Sequence, residues 1–225
     1  MQVAVLGTDY KNIKLSFLET FSFDPERIKH FVSQIPSHAP VSEFVILSTC
    51  NRVELYFYAE DIYEATEWLF AFFADYVGVK AWFIKKNFYF YKQQDCAKHL
   101  FSTVSGLNSM VFGEQEILGQ VKKAYFYNQS LGTTKMYLNK LFQMAIHVGK
   151  VVREKTRICE GSYSISSIAL QSLKEKYTDL LGQRILIVGS GCMAQRFIKN
   201  LQLMGHSEVY ISSRNKEKTE ATSTH

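Results

Sequence analysis

Two apolar segments on either side of a short polar stretch constrain the fold of this chain most strongly. EFVILS (43–48) and VELYFY (53–58) are predicted strands, the second because apolar residues alternate with Glu54 and tyrosines. The residues between them are small or polar and place Cys50 in a turn. The sequence therefore predicts two strands that meet at a turn carrying a cysteine.

Strands and helices alternate through the rest of the first third of the chain. VAVLG (3–7) and FYFY (88–91) are further predicted strands. One helix is predicted with Asp24 as N-cap and Pro25 in its first turn, and another with Asp61 as N-cap. The order βαββαβ predicts a ferredoxin-like split βαβ unit.

The segment that follows, up to residue 157, is predicted to be helical. Asp95 is the expected N-cap of a helix that ends near Ser105, and the glycine-containing loop SGLNSMVFG comes next. Further helices are expected from Glu114 and over residues 135–156, before the linker-like CEGSYS. We therefore expect an α+β N-terminal domain over residues 1–157, built from the ferredoxin-like unit plus helices.

A glycine-rich turn between two apolar strands predicts a second domain over residues 163–225. Ile185–Val188 leads into the turn, an amphipathic helix follows, and the second strand ends at Arg214. Only one strand follows that helix, so we expect an incomplete Rossmann-type α/β nucleotide-binding domain.

Dinucleotide phosphates bind to backbone N–H groups at such a turn, and arginine after the second strand favours the 2′-phosphate of NADP. The alternative is a glycine turn that binds nothing. The candidate cofactor-binding residues are Gly189, Ser190, Gly191, Cys192, Met193, Ala194 and Arg214.

Composition excludes several classes of protein. No stretch approaches the roughly 18 apolar residues of a membrane-spanning helix, and the N-terminus lacks signal-peptide features, so we expect a cytoplasmic protein without membrane contact. The four widely spaced cysteines predict neither disulfides nor a metal site. The net charge of +5 does not by itself indicate nucleic acid, and the basic run over 133–157 fits either a solvated helix face or a phosphate-facing surface.

Cys50 has two interpretations on local grounds. A cysteine without a disulfide is commonly a small buried hydrophobe, whereas a polar turn with a nearby guanidinium at Arg52 favours the thiolate that a nucleophile requires. A thiolate and a nicotinamide site in one chain suggest acyl reduction, in which a thioester is reduced to an aldehyde by hydride.

Four segments together resemble the glutamyl-tRNA reductase family. They are STCNRVELY (48–56), HLFSTVSGLNSMVFGEQEILGQVKKAY (99–125), LNKLFQMAIHVGKVVREKT (138–156) and LIVGSGCMA (186–194). The resemblance implies NADPH-dependent reduction of glutamyl-tRNA(Glu) to glutamate-1-semialdehyde through a cysteine thioester, the first step of the five-carbon route to tetrapyrroles. It also implies a catalytic and glutamyl-tRNA-binding role for the N-terminal domain.

The resemblance also implies roles for individual residues. Cys50 matches the nucleophile, and Arg52 matches a residue suited to pair with the substrate γ-carboxylate. His99 matches a histidine that matters for activity, as an acid/base or as a structural hydrogen-bonding residue. The expected substrate-binding residues are Thr49, Asn51, Arg52, Ser109, Glu114, Gln115, Glu116 and Gln120.

The sequence departs from the family at two motifs. In the glycine-rich turn, Cys192 and Ala194 stand where the family usually has Glu and a later Gly. Gln115 and Glu116 replace the usual Pro and Gln, and the added carboxylate either weakens binding of an anionic substrate or faces solvent. The C-terminal dimerisation domain that makes the family homodimeric is expected to be absent. Glutamate-1-semialdehyde aminomutase is a further candidate partner that the resemblance implies.

Three other functions fit parts of the sequence. One is a truncated, reductase-inactive form with glutamyl-tRNA esterase activity, and another is a tRNA-binding or regulatory module. The third, a semialdehyde dehydrogenase acting on an acyl phosphate, fits less well because such enzymes usually open with the glycine-rich strand.

Overall fold

The computed structural model of the chain describes residues 2–156, 158, 165–206, 208–214 and 219, with only the backbone of Ile165 and Cys192. Two compact units divide the chain, residues 1–160 and 161–225. The linker-like CEGSYS and Arg157 lie outside the described residues.

Four antiparallel strands form the sheet of the first unit. Its order is β2-β3-β1-β4, as in the predicted split βαβ unit. The strands are β1 (Gln2–Asp9), β2 (Glu43–Ser48), β3 (Arg52–Ala59) and β4 (Tyr89–Lys92). The connecting helices are α1 (Leu15–Phe21), α2 (Pro25–Gln34), α3 (Ile62–Val77) and α4 (Ala81–Asn87), of which the two short ones, α1 and α4, were not predicted.

Helices cover both faces of this sheet, and all eight residues of β3 are buried. Val53, Leu55 and Phe57 join the core formed with α1 to α4. Tyr56 and Tyr58 point to the opposite face and join a second core. The helices of that core are α5 (Gln93–Val104), α6 (Glu116–Ser130) and α7 (Met136–Thr156). Glu54, on the same alternation as Tyr56, is therefore directed into protein.

The predicted starts of the helices are confirmed at two places and wrong at two. Asp24 caps α2 by accepting from Arg27 N, and Asp61 caps α3 by accepting from Tyr63 N and Glu64 N. Asp95 is not a cap: α5 follows β4 directly and begins at Gln93, whose φ of 49° makes the change of direction. Helix α6 begins at Glu116 rather than Glu114, because a turn between Glu114 N and Val111 O precedes it.

A side chain from α6 forms hydrogen bonds with backbone groups on the outer edge of β2. The Asn128 amide accepts from Ile46 N at 3.2 Å and donates to Ile46 O at 3.1 Å. It also donates to Ala124 O within its own helix. Phe44 N donates to Thr133 O, just beyond the end of α6. These bonds replace part of the missing neighbouring strand.

The first residue of β2, Glu43, accepts hydrogen bonds from backbone N–H groups at the N-terminus of α7. The Glu43 carboxylate accepts from the backbone N–H groups of Lys135, Tyr137 and Leu138 at 2.7–3.0 Å. An anionic acceptor at this end of a helix satisfies N–H groups that lack intrahelical partners and complements the helix dipole. The sheet and α7 are thereby joined by residues more than ninety positions apart.

The second unit contains a parallel strand pair with two helices. Strand β5 (Ile185–Val188) pairs with β6 (Val209–Ser212), and helices α8 (Ile165–Lys176) and α9 (Cys192–Leu203) accompany them. The predicted succession of strand, turn, helix and strand is therefore observed. One face of the pair packs with Leu170 and Leu201, whereas Leu186, Val188 and Tyr210 are exposed on the other. Among the described residues, no helix is long and apolar enough to cross a bilayer.

Asn128→Ala is expected to lower the free energy of unfolding of the first unit by roughly 2–4 kcal/mol, because the buried N–H and C=O of Ile46 both lose a partner. Urea unfolding monitored by the fluorescence of Trp68 and Trp82, the two tryptophans of the chain, measures this unit. Ser130→Ala, at an exposed position of the same helix, serves as control and should shift stability by less than about 0.5 kcal/mol. Equal losses in the two variants would contradict this role of Asn128.

Candidate active site

Cys50 lies at an exposed position in the turn that joins β2 to β3. Thr49 closes the turn: its N–H donates to Arg52 O at 2.9 Å, and its hydroxyl accepts from Asn51 N and Arg52 N at 3.2 Å. Tyr10 N donates to Asn51 O and attaches the turn to the end of β1. The interpretation of Cys50 as a buried core residue is therefore wrong. Cys96, by contrast, is buried in a core, and burial raises the pKa of its thiol.

Arg52 and Glu54 form an ion pair inside the first unit. They lie two residues apart on β3 and therefore on the same face of the sheet, and their side chains are 1% and 0% exposed. Arg52 Nη1 donates to Glu54 Oε1 at 3.0 Å and to Thr103 Oγ1 at 3.1 Å, while Nη2 donates to Asn108 O at 2.6 Å. Arg52 thus connects the strand to α5 and to the loop after it.

Three further side chains surround the Glu54 carboxylate. Tyr56 OH donates to Oε2 at 2.6 Å, and Tyr89 OH donates to Oε1 at 2.6 Å. His99 Nε2 lies 2.8 Å from Oε1, and the imidazole is 11% exposed. His99 is therefore neither a surface histidine of its helix nor fully enclosed.

The electrostatics of this cluster determine its protonation. Burial raises the pKa of Glu54, but Arg52 and the hydrogen-bonding groups outweigh burial and hold that pKa well below its usual range. Burial likewise opposes the charge of Arg52, yet the Glu54 carboxylate gives a net increase in its pKa. Burial and the negative charge of Glu54 raise the pKa of Tyr56 and of Tyr89. Glu54 is therefore an anion that only accepts, so His99 Nε2 carries the proton that it shares with Glu54.

The loop 106–113, between α5 and α6, brings Ser109 to the Arg52 side of the cluster. Its ends meet at Gly106 and Gly113, whose φ values of 80° and 74° lie in the left-handed region, and Gly113 N donates to Gly106 O. Asn108 O receives the Arg52 hydrogen bond described above. Next to it, Ser109 is 9% exposed and its hydroxyl has no hydrogen-bond partner among the described residues. A buried hydroxyl without a partner is a candidate ligand-binding group.

The remaining predicted substrate residues lie at the start of α6. Gln115 is exposed at the N-cap position, and Glu116 and Gln120 are half-buried one helical turn apart in a continuous helix. Glu116 is half-buried, and both alternatives for its carboxylate stay predictions. Glu114 is held through its backbone carbonyl, which accepts from Arg153 Nη2.

The basic residues of segment 133–157 do not all face solvent. Arg153 does not belong to a solvated face, because its guanidinium donates to Val104 O, Gly149 O and Glu114 O. Lys135, Lys140 and Lys150 are exposed. Arg153 therefore supports the segment leading into α6, and only part of the predicted basic surface faces solvent.

The second unit has a pocket of about 530 Å³ at the ends of β5 and β6. It contains four of the seven predicted cofactor residues, Gly189, Ser190, Gly191 and Arg214, with Val188, Ser212 and Ser213. Met193 and Ala194 lie in the first turn of α9 outside the lining, and the Cys192 side chain lies outside the described residues.

The residues of this pocket fit a phosphorylated nucleotide. Gly189 has φ of 116°, a conformation that favours glycine, and the N-cap residue of α9, Gly191, has no side chain to occupy the first N–H groups of the helix. Such N–H groups and an arginine suit anionic phosphates. Among the described residues no group of His, Cys, Asp and Glu could hold a metal ion.

Sequence reasoning missed Glu54, Tyr56, Tyr89 and Thr103 as members of the cluster. A signal for Glu54 was present, since an acidic residue stands two positions from Arg52 in an otherwise apolar strand. Tyr89 and Thr103 had no such signal, because they reach the carboxylate and the guanidinium from elements far along the chain.

Glu54→Gln is expected to destabilise the first unit by about 3 kcal/mol at pH 7, because it leaves Arg52 buried without its counter-ion. The pKa of Glu54 is lowered in the folded state, so its stabilising contribution is present above the unfolded pKa, about 4.3, and decreases as the pH falls below that value. The difference from wild type in tryptophan-monitored urea unfolding should therefore shrink between pH 5 and about pH 3. Glu19→Gln, at an exposed position, should show little difference at any pH, and a pH-independent Glu54→Gln effect would refute the ionised carboxylate.

Comparison with known proteins identifies relatives of this chain. A glutamyl-tRNA reductase from Carboxydothermus hydrogenoformans is 36% identical over 220 residues, which are 98% of this chain and 49% of that protein. One from Desulforudis audaxviator is 36% identical over 214 residues, which are 95% of this chain and 48% of that protein. The chain spans about half the length of the curated relatives it matches.

A solved structure and a domain family give the same result. The structure of glutamyl-tRNA reductase from Methanopyrus kandleri superposes with a TM-score of 0.64 at 31% identity, over 99% of this chain and 52% of that one. The family described as the N-terminal domain of glutamyl-tRNA(Glu) reductase matches residues 6–156. That match covers the sheet, the Cys50 turn and the Glu54 cluster, and it extends over more than half of the 225 residues, so the chain belongs to the glutamyl-tRNA reductase family.

Proposed function

We propose that this chain takes part in the NADPH-dependent reduction of glutamyl-tRNA(Glu) to glutamate-1-semialdehyde, the first step of the five-carbon route to tetrapyrroles. The observation that carries the proposal is the exposed Cys50, placed two residues before Arg52 and its buried ionic cluster in a domain of this family. A reactive thiol needs access to substrate and a polar environment, and the turn provides both.

In the proposed first step, the Cys50 thiolate attacks the carbonyl carbon of the aminoacyl ester. A carbon–sulfur bond forms and the ester carbon–oxygen bond breaks. The proton lost by the thiol is returned to the released ribose hydroxyl. The products are a glutamyl thioester on Cys50 and uncharged tRNA.

His99 is the proposed proton carrier for this step. Its Nε2–H is engaged by Glu54, and its Nδ1 has no hydrogen-bond partner among the described residues. Nδ1 is therefore the ring nitrogen that can accept a proton. A histidine that is 11% exposed can meet substrate while its other nitrogen is fixed.

Ser109 and Arg52 are the proposed contacts of the glutamyl group. The Ser109 hydroxyl is buried and has no partner within the described part of the chain. Arg52 uses three of its five N–H donors inside the protein, which leaves Nε–H and one Nη2–H for a carboxylate. Its first role is thus to neutralise Glu54, and binding of the γ-carboxylate would use the remaining donors. Thr49, Asn51, Glu114, Gln115, Glu116 and Gln120 remain proposed substrate-binding residues.

The pocket of the second unit is the proposed NADPH site. When bound, NADPH supplies the hydride that reduces the thioester to the aldehyde. Gly189, Ser190 and Gly191 would hold the phosphates, and Arg214 would pair with the 2′-phosphate. The proposal further includes a cytoplasmic location and glutamate-1-semialdehyde aminomutase as partner.

A second candidate function is thioester formation followed by hydrolysis, which releases free glutamate and uncharged tRNA. The observation in its favour is that Cys50, His99, Arg52 and Ser109 all lie in the first unit, whereas the nucleotide pocket lies in the second. Incubation with glutamyl-tRNA separates the two functions: aldehyde formed with NADPH supports reduction, and free glutamate supports hydrolysis.

Cys50→Ser is expected to abolish the thioester. After incubation with glutamyl-tRNA and acid quenching, peptide mass spectrometry should find a glutamyl adduct on Cys50 of the wild type and none on the variant. Cys96→Ser is the control, because burial raises the pKa of that thiol and should keep it unreactive. An adduct that persists in Cys50→Ser, or that is lost in a folded Cys96→Ser protein, would exclude Cys50 as the nucleophile.

Arg214→Gln is expected to weaken NADPH binding roughly 10- to 100-fold, because a charge-assisted hydrogen bond contributes about 1.5–3 kcal/mol. NADH lacks the 2′-phosphate, so its affinity should change by no more than about twofold. Calorimetric titration of both nucleotides measures the difference, with Arg184→Gln as an exposed control outside the pocket. Equal weakening of the two nucleotides would rule out recognition of the 2′-phosphate by Arg214.

A further inference from the structure

We propose that Tyr89 is the positioning residue of His99, and that Gly7 has no side chain so that Tyr89 can cross the central strand to reach Glu54. The part of this inference that concerns catalysis rests on the proposed function, because it assumes that His99 carries a proton in the reaction. The part that concerns the orientation of His99 stands on the geometry of four residues.

In the sheet, Gly7 lies directly between Tyr89 and Glu54. On one side of β1 it pairs with Glu54 of β3, and on the other it pairs with Tyr89 of β4. Strands separated by one intervening strand lie roughly 9–10 Å apart. The Tyr89 hydroxyl nevertheless donates to Glu54 Oε1 at 2.6 Å, so its side chain passes over Gly7.

The space above Gly7 is filled by its two neighbours. A Cβ atom at this position would lie 2.8 Å from Glu54 Cγ, 3.0 Å from Tyr89 Cε2 and 3.0 Å from Val53 O. The backbone of Gly7 is ordinary β-strand and is not among the residues with positive φ. Glycine is therefore required here by the path of the tyrosine rather than by backbone conformation.

Tyr89 contacts both members of the Glu54–His99 pair. Its ring centroid lies 5.0 Å from that of His99, in addition to the hydrogen bond with Glu54. Tyr91 contacts the imidazole at 5.1 Å and Tyr89 at 5.2 Å, but no hydrogen bond links it to the carboxylate. Tyr91 is 38% exposed, and of the two tyrosines only Tyr89 bonds to Glu54 through its hydroxyl.

The hydroxyl determines how Glu54 is presented to His99. Glu54 Oε1 accepts hydrogen bonds from Arg52 Nη1, Tyr89 OH and His99 Nε2. The position of the carboxylate therefore depends on all three donors. Without the tyrosine hydroxyl, Oε1 loses its shortest hydrogen bond and the carboxylate can rotate. His99 then loses the fixed acceptor that keeps the proton on Nε2 and leaves Nδ1 unprotonated.

The test compares Tyr89→Phe with Tyr91→Phe, each of which removes one hydroxyl and keeps the ring. In protein labelled with ¹⁵N-histidine, two-bond ¹H–¹⁵N spectra report the tautomer of each imidazole, and His99→Asn assigns the resonance. We expect neutral His99 to be the Nε2–H tautomer in wild type and in Tyr91→Phe, and a mixture of tautomers in Tyr89→Phe. A His99 spectrum unchanged in Tyr89→Phe, or changed equally in both variants, overturns the proposal.

A kinetic measurement tests the catalytic part separately. Tyr89→Phe should lower the rate constant of thioester formation roughly tenfold, a fraction of the 10²–10⁴ that a positioned acid–base side chain supplies, with little change in the tRNA concentration at half-maximal rate. Tyr91→Phe should stay within about twofold of wild type. If the wild type forms no thioester, the proposed function fails, whereas the tautomer measurement still decides the role of Tyr89.

Gly7→Ala, where it folds, should reproduce the Tyr89→Phe spectrum.

Discussion

The first unit depends on keeping the fully buried carboxylate of Glu54 charged. Transfer of an isolated carboxylate from water into protein costs several kcal/mol, which must be offset by nearby donors. Glu54 obtains them from three elements: Arg52 and Tyr56 on β3, Tyr89 on β4 and His99 on α5. The relative positions of the two strands and the helix are therefore tied to the same pair of oxygen atoms.

The coverage of both sheet faces explains why this carboxylate is buried at all. Alternation along VELYFY correctly separates Leu55 and Phe57 from Glu54 and Tyr56, and the strands, their order and the caps Asp24 and Asp61 follow from local patterns. The alternation does not show that the second face is also covered. That coverage comes from helices that begin more than thirty residues further along the chain, and no local rule predicts it. Local patterns are likewise insufficient at Asp95. The expected helix cap is not formed there, because β4 runs directly into α5 at Gln93.

The sequence motif predicts the position of the Cys50 turn better than it predicts the directions of the neighbouring side chains. The sequence places Cys50 in a polar turn, and the structure shows that turn to be exposed and closed by Thr49. Arg52 and Arg153 were harder to interpret, since an arginine in a motif or a basic run does not reveal the direction of its guanidinium. Both guanidinium groups point inward. Arg52 donates to the Glu54 carboxylate, and Arg153 donates to backbone carbonyls at the end of α5 and just before α6. Such directions are set by acceptors that only the folded chain brings together.

The Asn128 amide at the edge of β2 has a consequence for behaviour at high concentration. An edge strand normally offers its free N–H and C=O groups to a strand of another molecule, which is the usual beginning of intermolecular sheet growth. At Ile46 both groups are already bonded to a side chain of the same molecule, and Phe44 N is bonded to Thr133 O. An approaching strand would have to displace these three bonds before it could pair. The stretch of this edge from Phe44 to Ile46 is thereby closed to intermolecular pairing by α6 and the residues that follow it, rather than by charge.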